Sequence, residues 1–295
     1  LALGYPKILQ ILLVAGADAN AIYDGMTPLH FAIGKDQAES VQFLVIYGAD
    51  VNKKIISSKT FGKNYNGRTP LMCAAAVGNR TIIGILIGAG ARINEPQMQE
   101  SVIEVAAKYG NLEVIRQLAS YGADIEIPSS TGITFLMRAA LSGRNGTNLV
   151  KTLIEAGANV NAVCKDDGLP AIVFAFMKQG NLETVQLFIS AGANVNATTT
   201  DGRSILFFAI QKPEYYEIVQ LLTYSGANVN AIATGGMSLL MSAARIPNNA
   251  KILRLLIAAG ANVNYEISGI TALAVAREEG GKENIDALIL AGAQK

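Results

Sequence analysis

Gly192-Ala193-Asn194-Val195-Asn196-Ala197 recurs in close variants along the whole chain. Its copies are Gly16-Ala17-Asp18-Ala19-Asn20, Gly48-Ala49-Asp50-Val51-Asn52, Gly90-Ala91-Arg92-Ile93-Asn94 and Gly122-Ala123-Asp124-Ile125-Glu126. They continue as Gly157-Ala158-Asn159-Val160-Asn161, Gly226-Ala227-Asn228-Val229-Asn230 and Gly260-Ala261-Asn262-Val263-Asn264, and end at Gly292-Ala293. Successive leading glycines are 32, 42, 32, 35, 35, 34, 34 and 32 residues apart. A steady period of this size marks stacked units, each burying its apolar faces on its neighbours.

One period shows what a unit contains. Asp24-Gly25 is turn chemistry. Thr27 suits a helix N-cap, and Pro28 suits the first helical turn, where its missing N–H costs nothing. Leu29 and Ala32 then share one helix face. A second helix is expected from Val41 to Tyr47, with Val41, Leu44 and Val45 inward. Gly48 ends it, because glycine accepts the left-handed cap conformation. Val51 begins a short extended return.

Thr27-Pro28-Leu29-His30 and Thr69-Pro70-Leu71-Met72 resemble the inner-helix opening of the ankyrin repeat family. Looser versions follow at Thr134-Phe135-Leu136-Met137, Ser204-Ile205-Leu206-Phe207, Ser238-Leu239-Leu240-Met241 and Thr271-Ala272-Leu273. With the glycine phrase, the resemblance covers essentially the whole chain. It implies an all-α fold: an ankyrin-repeat solenoid of stacked antiparallel helix pairs with short β-hairpin fingers. It implies no catalysis, and a structural role for His30, which would brace its turn by hydrogen bonding.

The chain is therefore expected to form a single array over 1–295. A partial repeat spans 1–20, and full repeats span about 22–52, 53–94, 95–126, 127–161, 162–196, 197–230, 231–264 and 265–295. The unit 95–126 lacks the turn glycine, so its finger should be irregular, and Glu126 replaces the usual Asn. Arg144-Asn145-Gly146 is an insertion between two helices, and Pro213 and Pro247 break the matching loops of later units. Arg277, Glu278, Glu279, Lys282 and Glu283 give the last unit a polar face suited to a cap. The N-terminal edge should need a cover from outside this sequence.

The long period comes from a basic insertion, Lys53 to Asn66, with four lysines, no acid, and Phe61 and Tyr65 interleaved. It falls at a finger. Loops there cost little entropy and often carry function. Because it should lie outside the stack, removal of Ile55 to Lys63 is expected to leave stability nearly unchanged.

Composition excludes several functions. A net charge of +1 gives no bulk attraction to nucleic acid or an anionic membrane. No apolar run reaches the roughly 18 residues of a membrane span. The chain opens Leu1-Ala2-Leu3-Gly4 without Met or a signal peptide, and reads as a fragment of something longer. Cys73 and Cys164 fall three units apart, beyond disulfide reach, which fits a reducing compartment. One histidine and two distant cysteines cannot assemble a usual zinc site. Asp166 and Asp167 are adjacent and do not converge as a catalytic pair. No cofactor motif occurs, since no glycine stretch precedes Gly-Lys-Ser/Thr.

Binding remains. Variable surface in such a stack lies beside the turn glycine, at the close of the first helix, and just before the glycine phrase. Those places hold Tyr23, Met26, Tyr47, Tyr65, Arg68, Tyr109 and Tyr121 in the first units. Tyrosine gives large contact area at little entropic cost. Lys59, Phe61 and Lys63 add the basic finger, and Lys178, Lys212 and Arg245 form a stripe in successive later units. These residues are the expected contacts of a non-catalytic scaffold for protein–protein interaction. The other reading is a targeting or regulatory segment of a larger enzyme or secreted effector. The chain is expected to be a cytoplasmic monomer with a protein partner, or a secreted effector acting in a host cell. Nucleic acid is not expected as a partner.

Overall fold

The computed structural model describes residues 5–56, 66–94, 100–129, 131–178 and 180–294. The chain divides into two compact units, Leu1–Ile125 and Glu126–Lys295. Each is a stack of helix pairs.

In the first unit, α1 (Pro6–Val14) is followed by the pairs α2 (Pro28–Gly34) with α3 (Ala38–Ile46), α4 (Pro70–Val77) with α5 (Arg80–Gly88), and α6 (Val102–Lys108) with α7 (Leu112–Ser120). In the second, α8 (Phe135–Leu141) pairs with α9 (Thr147–Glu155), and a 3₁₀ helix, Ala171–Ala175, pairs with α10 (Leu182–Ser190). Then come α11 (Ile205–Ala209) with α12 (Tyr216–Tyr224), α13 (Leu239–Ala244) with α14 (Ala250–Ala258), and α15 (Ala272–Val275) with α16 (Lys282–Leu290).

The two helices of a pair differ for a physical reason. The first is enclosed by its neighbours, so α4 buries Pro70 through Ala75 without a break. The second has one wet side, so α7 buries only Val114, Ile115 and Leu118, at helical spacing. Ser or Thr caps most first helices: Thr69, Ser101, Thr134, Ser238 and Thr271 each accept the backbone N–H three residues on. Pro170 stands at that position in the 3₁₀ unit and has no hydroxyl to offer. That helix forms tight 3₁₀ turns instead.

The glycine phrase ends every second helix. At Gly192, φ is 87°, the Gly192 N–H reaches Ile189 O at 3.0 Å, and the Ala193 N–H reaches Phe188 O at 3.0 Å. This double closure satisfies carbonyls that the helix leaves open.

The phrase's last residue does something its spacing does not reveal. Asn196 donates through Nδ2 to Gly226 O at 3.0 Å, and its Oδ1 accepts the Asn228 N–H at 2.7 Å. Asn161, Asn230 and Asn264 grip the next phrase in the same way. In the first unit, Asn20, Asn52 and Asn94 do so. Glu126 keeps half of this link. Its Oε1 accepts the Asn159 N–H at 2.7 Å, but a carboxylate has no N–H for Gly157 O.

A second set of amides works at the start of the second helices. Asn111 Nδ2 donates to Ala75 O and Ala76 O, and Asn284 Nδ2 donates to Ala244 O and Ile246 O. Gly280 permits that last approach: a Cβ there would lie 2.0 Å from Ala244 O.

Several expectations need correction. Among the described residues the fingers are short: one pair of two-residue strands forms a hairpin, β1 (Glu266–Ile267) with β2 (Ile270–Thr271), and four isolated bridges occur, such as Tyr23 with Met26. Ile55 does not lie outside the stack. It is 2% exposed, exchanges backbone bonds with Arg68 and Gly67, and is followed by Ile56 bonding Gly25 O. Deletion from Ile55 would therefore open the core. The insertion 144–146 folds into a 3₁₀ helix, Gly143–Gly146, and Pro213 opens another, Pro213–Tyr215. The irregular finger expected near 95–99 lies outside the described residues. In the last unit Arg277 to Glu279 are exposed on a π-helical turn, yet Leu290 is 83% exposed, so the polar cap is incomplete. At the other end Tyr5 is exposed, and α1 exposes Ile8, Ile11 and Val14.

Asn196→Ala removes both halves of one link and is expected to cost about 1–3 kcal/mol. Glu126→Asn supplies the missing donor and is expected to raise the thermal midpoint. Thermal unfolding of both variants checks this, and an unchanged midpoint for Asn196→Ala would show that the ladder is ornamental.

Candidate protein-interaction surface

The first helices of Leu1–Ile125 present their outer face as a row. Between α2 and α4 this face holds a recess of about 110 Å³, lined by Met26, His30, Gly34, Ile55, Cys73, Ala76 and Val77. His30 forms its wall because Pro28 starts α2 and places position 30 against Thr27. The Thr27 N–H donates to Nδ1 at 3.3 Å, and the Thr27 hydroxyl lies 2.9 Å from the same nitrogen. The bracing role implied for His30 is what the geometry shows. Burial drives its pKa down to about 4, against the raising influence of the Arg68 and Lys53 backbone and of Asp50. The ring is neutral at pH 7.

Beside the recess, α4 and α6 carry a polar network. Arg68, at the entry to α4, runs to Tyr109 at the end of α6. Its Nη1 donates to the Tyr109 hydroxyl at 3.3 Å, and the guanidinium sits 5.4 Å from the ring centre. Glu100 bridges Arg68 at 3.2 Å and Lys108 at 2.7 Å. Burial opposes the charge on Arg68, but the Tyr109 hydroxyl and Glu100 together outweigh it and raise its pKa. Lys108 holds the Glu100 carboxyl below its usual range, against partial burial and with help from Arg68. The network thus stays ionised, with its charges fixed before any partner arrives.

Neither cysteine is activated. Burial pushes the Cys73 thiol up to about 12, against a small pull from Arg68, and burial with Asp167 and Asp166 raises Cys164. Both are free and buried. Among the described residues no cluster of His, Cys, Asp and Glu could hold a metal ion, and no helix is long and apolar enough to cross a membrane.

The residues singled out from the sequence scatter. Tyr23 is exposed at its turn, with its ring 6.2 Å from Phe31. Met26 and Arg68, expected on the surface, are 2% and 3% exposed. Met26 lines the recess beside His30 and Ile55, whereas its bridge partner Tyr23 is exposed. Arg68 is covered by Tyr109 and Glu100. Tyr47, Tyr109 and Tyr121 are each partly exposed, but they do not form one patch. Tyr47 and Tyr121 cap second helices, whereas Tyr109 caps a first helix. Antiparallel pairing puts these caps at opposite ends, about 10–14 Å apart for helices this long. Tyr121 leans over α5 near Gly84. Lys59, Phe61, Lys63 and Tyr65 lie outside the described residues.

The basic stripe is less free than expected. Lys178 is exposed. Lys212 is held by the Tyr215 hydroxyl at 2.9 Å, and Arg245 pairs with Glu279 at 2.7 Å. Sequence reading missed the recess and Glu100. Cys73 and Ile55 looked like plain core and loop, and only packing makes them one wall.

With this geometry the comparisons with known proteins agree. A family model described as "Ankyrin repeats (3 copies)" matches residues 1–55, 53–129, 86–164, 136–233 and 214–295. The chain belongs to the ankyrin repeat family, a general protein-interaction module. It is 27% identical over 189 residues to a putative palmitoyltransferase, ZDHHC13, of Danio rerio, covering 62% of this chain and 27% of that protein. It is 32% identical over 199 residues to the ankyrin repeat and KH domain-containing protein mask-1 of Caenorhabditis elegans, covering 65% and 7%. A mouse B-cell lymphoma 3 protein homolog is 29% identical over 189 residues, covering 62% and 40%. The matches thus span well under half of each relative. The ankyrin repeat domain of human ASB11 superposes with a TM-score of 0.53 at 24% identity, over 70% of this chain and 88% of that one, which shows the fold.

The depressed pKa of His30 sets a pH window. Between about 4 and 6.5 the unfolded chain binds more protons than the folded one. The stability that depends on the neutral ring is complete above the upper value and is lost as pH falls toward the lower. Relative to His30→Gln, the native chain is expected to lose stability across this window at up to about 1.4 kcal/mol per pH unit. Parallel slopes in denaturant titrations of the two proteins would refute the assignment.

Proposed function

We propose that this chain is a non-catalytic protein-binding scaffold, and that the first-helix face of Leu1–Ile125 takes the partner. The recess between α2 and α4, adjoining the fixed Arg68–Glu100–Lys108–Tyr109 network, carries this reading. A preorganised face loses little entropy on association. Tyr109 supplies the partly exposed aromatic, and Val77 supplies an apolar rim at 39% exposure. Tyr23, Tyr47, Tyr121, Lys178, Lys212 and Arg245 then serve as peripheral contacts.

A second reading is a targeting segment of a larger enzyme. It draws on the palmitoyltransferase relative and on an Arabidopsis thaliana E3 ubiquitin-protein ligase, KEG, of which the match spans 10%. Both readings use the same face, and two buried free thiols suit a reducing compartment.

Affinity capture with the native chain tests the proposal, with two pairs of substitutions compared. Val77→Asp with Tyr109→Ala is expected to weaken retention of the partner more than tenfold without unfolding. Tyr47→Ala with Tyr121→Ala, at the opposite helix ends, is expected to change it by less than about threefold. Loss confined to the second pair would move the site to the other edge.

A further inference from the structure

The outward side of the second helices in Glu126–Lys295 carries a groove of about 820 Å³ between α12 and α14. Its walls are two stripes at helical spacing. Glu217, Gln220 and Tyr224 form one; Lys251, Arg254 and Ala258 form the other. Glu217, Tyr224, Lys251, Arg254 and Ala258 are exposed, and Tyr224 reaches 78%. The stripes occupy identical repeat positions, since the glycines that follow them, Gly226 and Gly260, are 34 residues apart. One wall is thus acidic and bulky where the other is basic and small. Among the described residues, Glu217, Lys251 and Arg254 make no ion pair and no side-chain hydrogen bond within the chain.

We propose that this groove is a self-association surface whose occupant is a second copy of the chain. Neighbouring second helices run in the same direction. A two-fold axis lying along the groove, parallel to both, turns α12 of one copy onto α14 of the other and preserves both directions. Because the stripes are in register, the operation sets Glu217 against Lys251, Gln220 against Arg254 and Tyr224 against Ala258. Those contacts are an ion pair, an amide oxygen facing a guanidinium, and a large ring facing a small side chain. Each occurs twice, as an isologous interface requires.

The fit stops at the flanking helices. The same axis brings Glu183 of α10 opposite Glu283 of α16, two exposed acids. The contact therefore falls well short of the roughly 1,600 Å² of a standard stable interface, and the dimer is weak and reversible. This surface is separate from the first-helix face proposed for the partner. It runs against the monomer expected from the sequence.

Sedimentation equilibrium of the full chain over a concentration series decides the matter. The native chain is expected to pass from monomer to dimer as concentration rises, less so at high salt. Glu217→Lys and Lys251→Glu are each expected to weaken association at least tenfold, because each sets like charges together at both contacts. An equimolar mixture of these two variants is expected to associate again, since the mixed pair restores opposite charges at both. Circular dichroism confirms that the variants fold. A native chain that stays monomeric up to about 1 mM, single reversals that change nothing, or a mixture that fails to recover would each overturn the proposal. Capture of a foreign helix by a monomeric chain would be the same refutation.

Discussion

Each asparagine that closes a glycine phrase ties its repeat to the next by two hydrogen bonds, one given and one received. The given bond reaches the carbonyl of the next phrase's glycine. The received bond comes from an amide two residues further on, as with Asn196, Gly226 and Asn228. Both groups sit at a helix end, where backbone polar groups lack partners of their own. The side chain is short and little exposed to choice, so it fixes spacing and angle together. Burial of Leu and Val between helices supplies the larger free energy, but it is non-directional. The amide link decides how one layer meets another.

That constraint frees the other positions. With second helices closed by the glycine phrase, and several of them also held at their start by residues such as Asn111 or Asn284, the outward positions can vary without loss of register. Glu217 and Lys251 illustrate this: they are the same position in adjacent repeats, with opposite charge. The first-helix face varies less freely because its residues touch two neighbours. Variation there produces a recess when side chains are small, as at Gly34, Ala76 and Cys73, and a polar network when Arg68 meets Tyr109 and Glu100.

The helix pairs were legible because turn glycine, cap hydroxyl and closing glycine are local signals, repeated in phase. The 3₁₀ helix at Ala171–Ala175 also had a local sign in Pro170, which replaces the capping Ser or Thr. The candidate surface was legible only in part. Tyr47, Tyr109 and Tyr121 all precede a glycine, yet they sit on different helices of their pairs and so at opposite ends. Met26 and Arg68 flank the turn glycines of their repeats, where surface was expected. Both side chains are buried instead, Met26 against the recess beside His30 and Ile55, and Arg68 on Tyr109 and Glu100.

The structural duty of His30 was implied by the resemblance of its phrase to the ankyrin repeat. The sequence by itself determined the repeat, the all-α class and the glycines that close the second helices, which follow from hydrogen bonds and dihedral preferences spanning a few residues. It also marked Glu126 as a fault in the pattern. Tertiary structure alone decided what that fault removes, which side chains meet across about forty residues, and which stripes share a groove. Arg68 and Tyr109 are 41 positions apart, and their contact depends on how one repeat packs on the next. Distances of that kind are set by packing between layers, and no local preference encodes them.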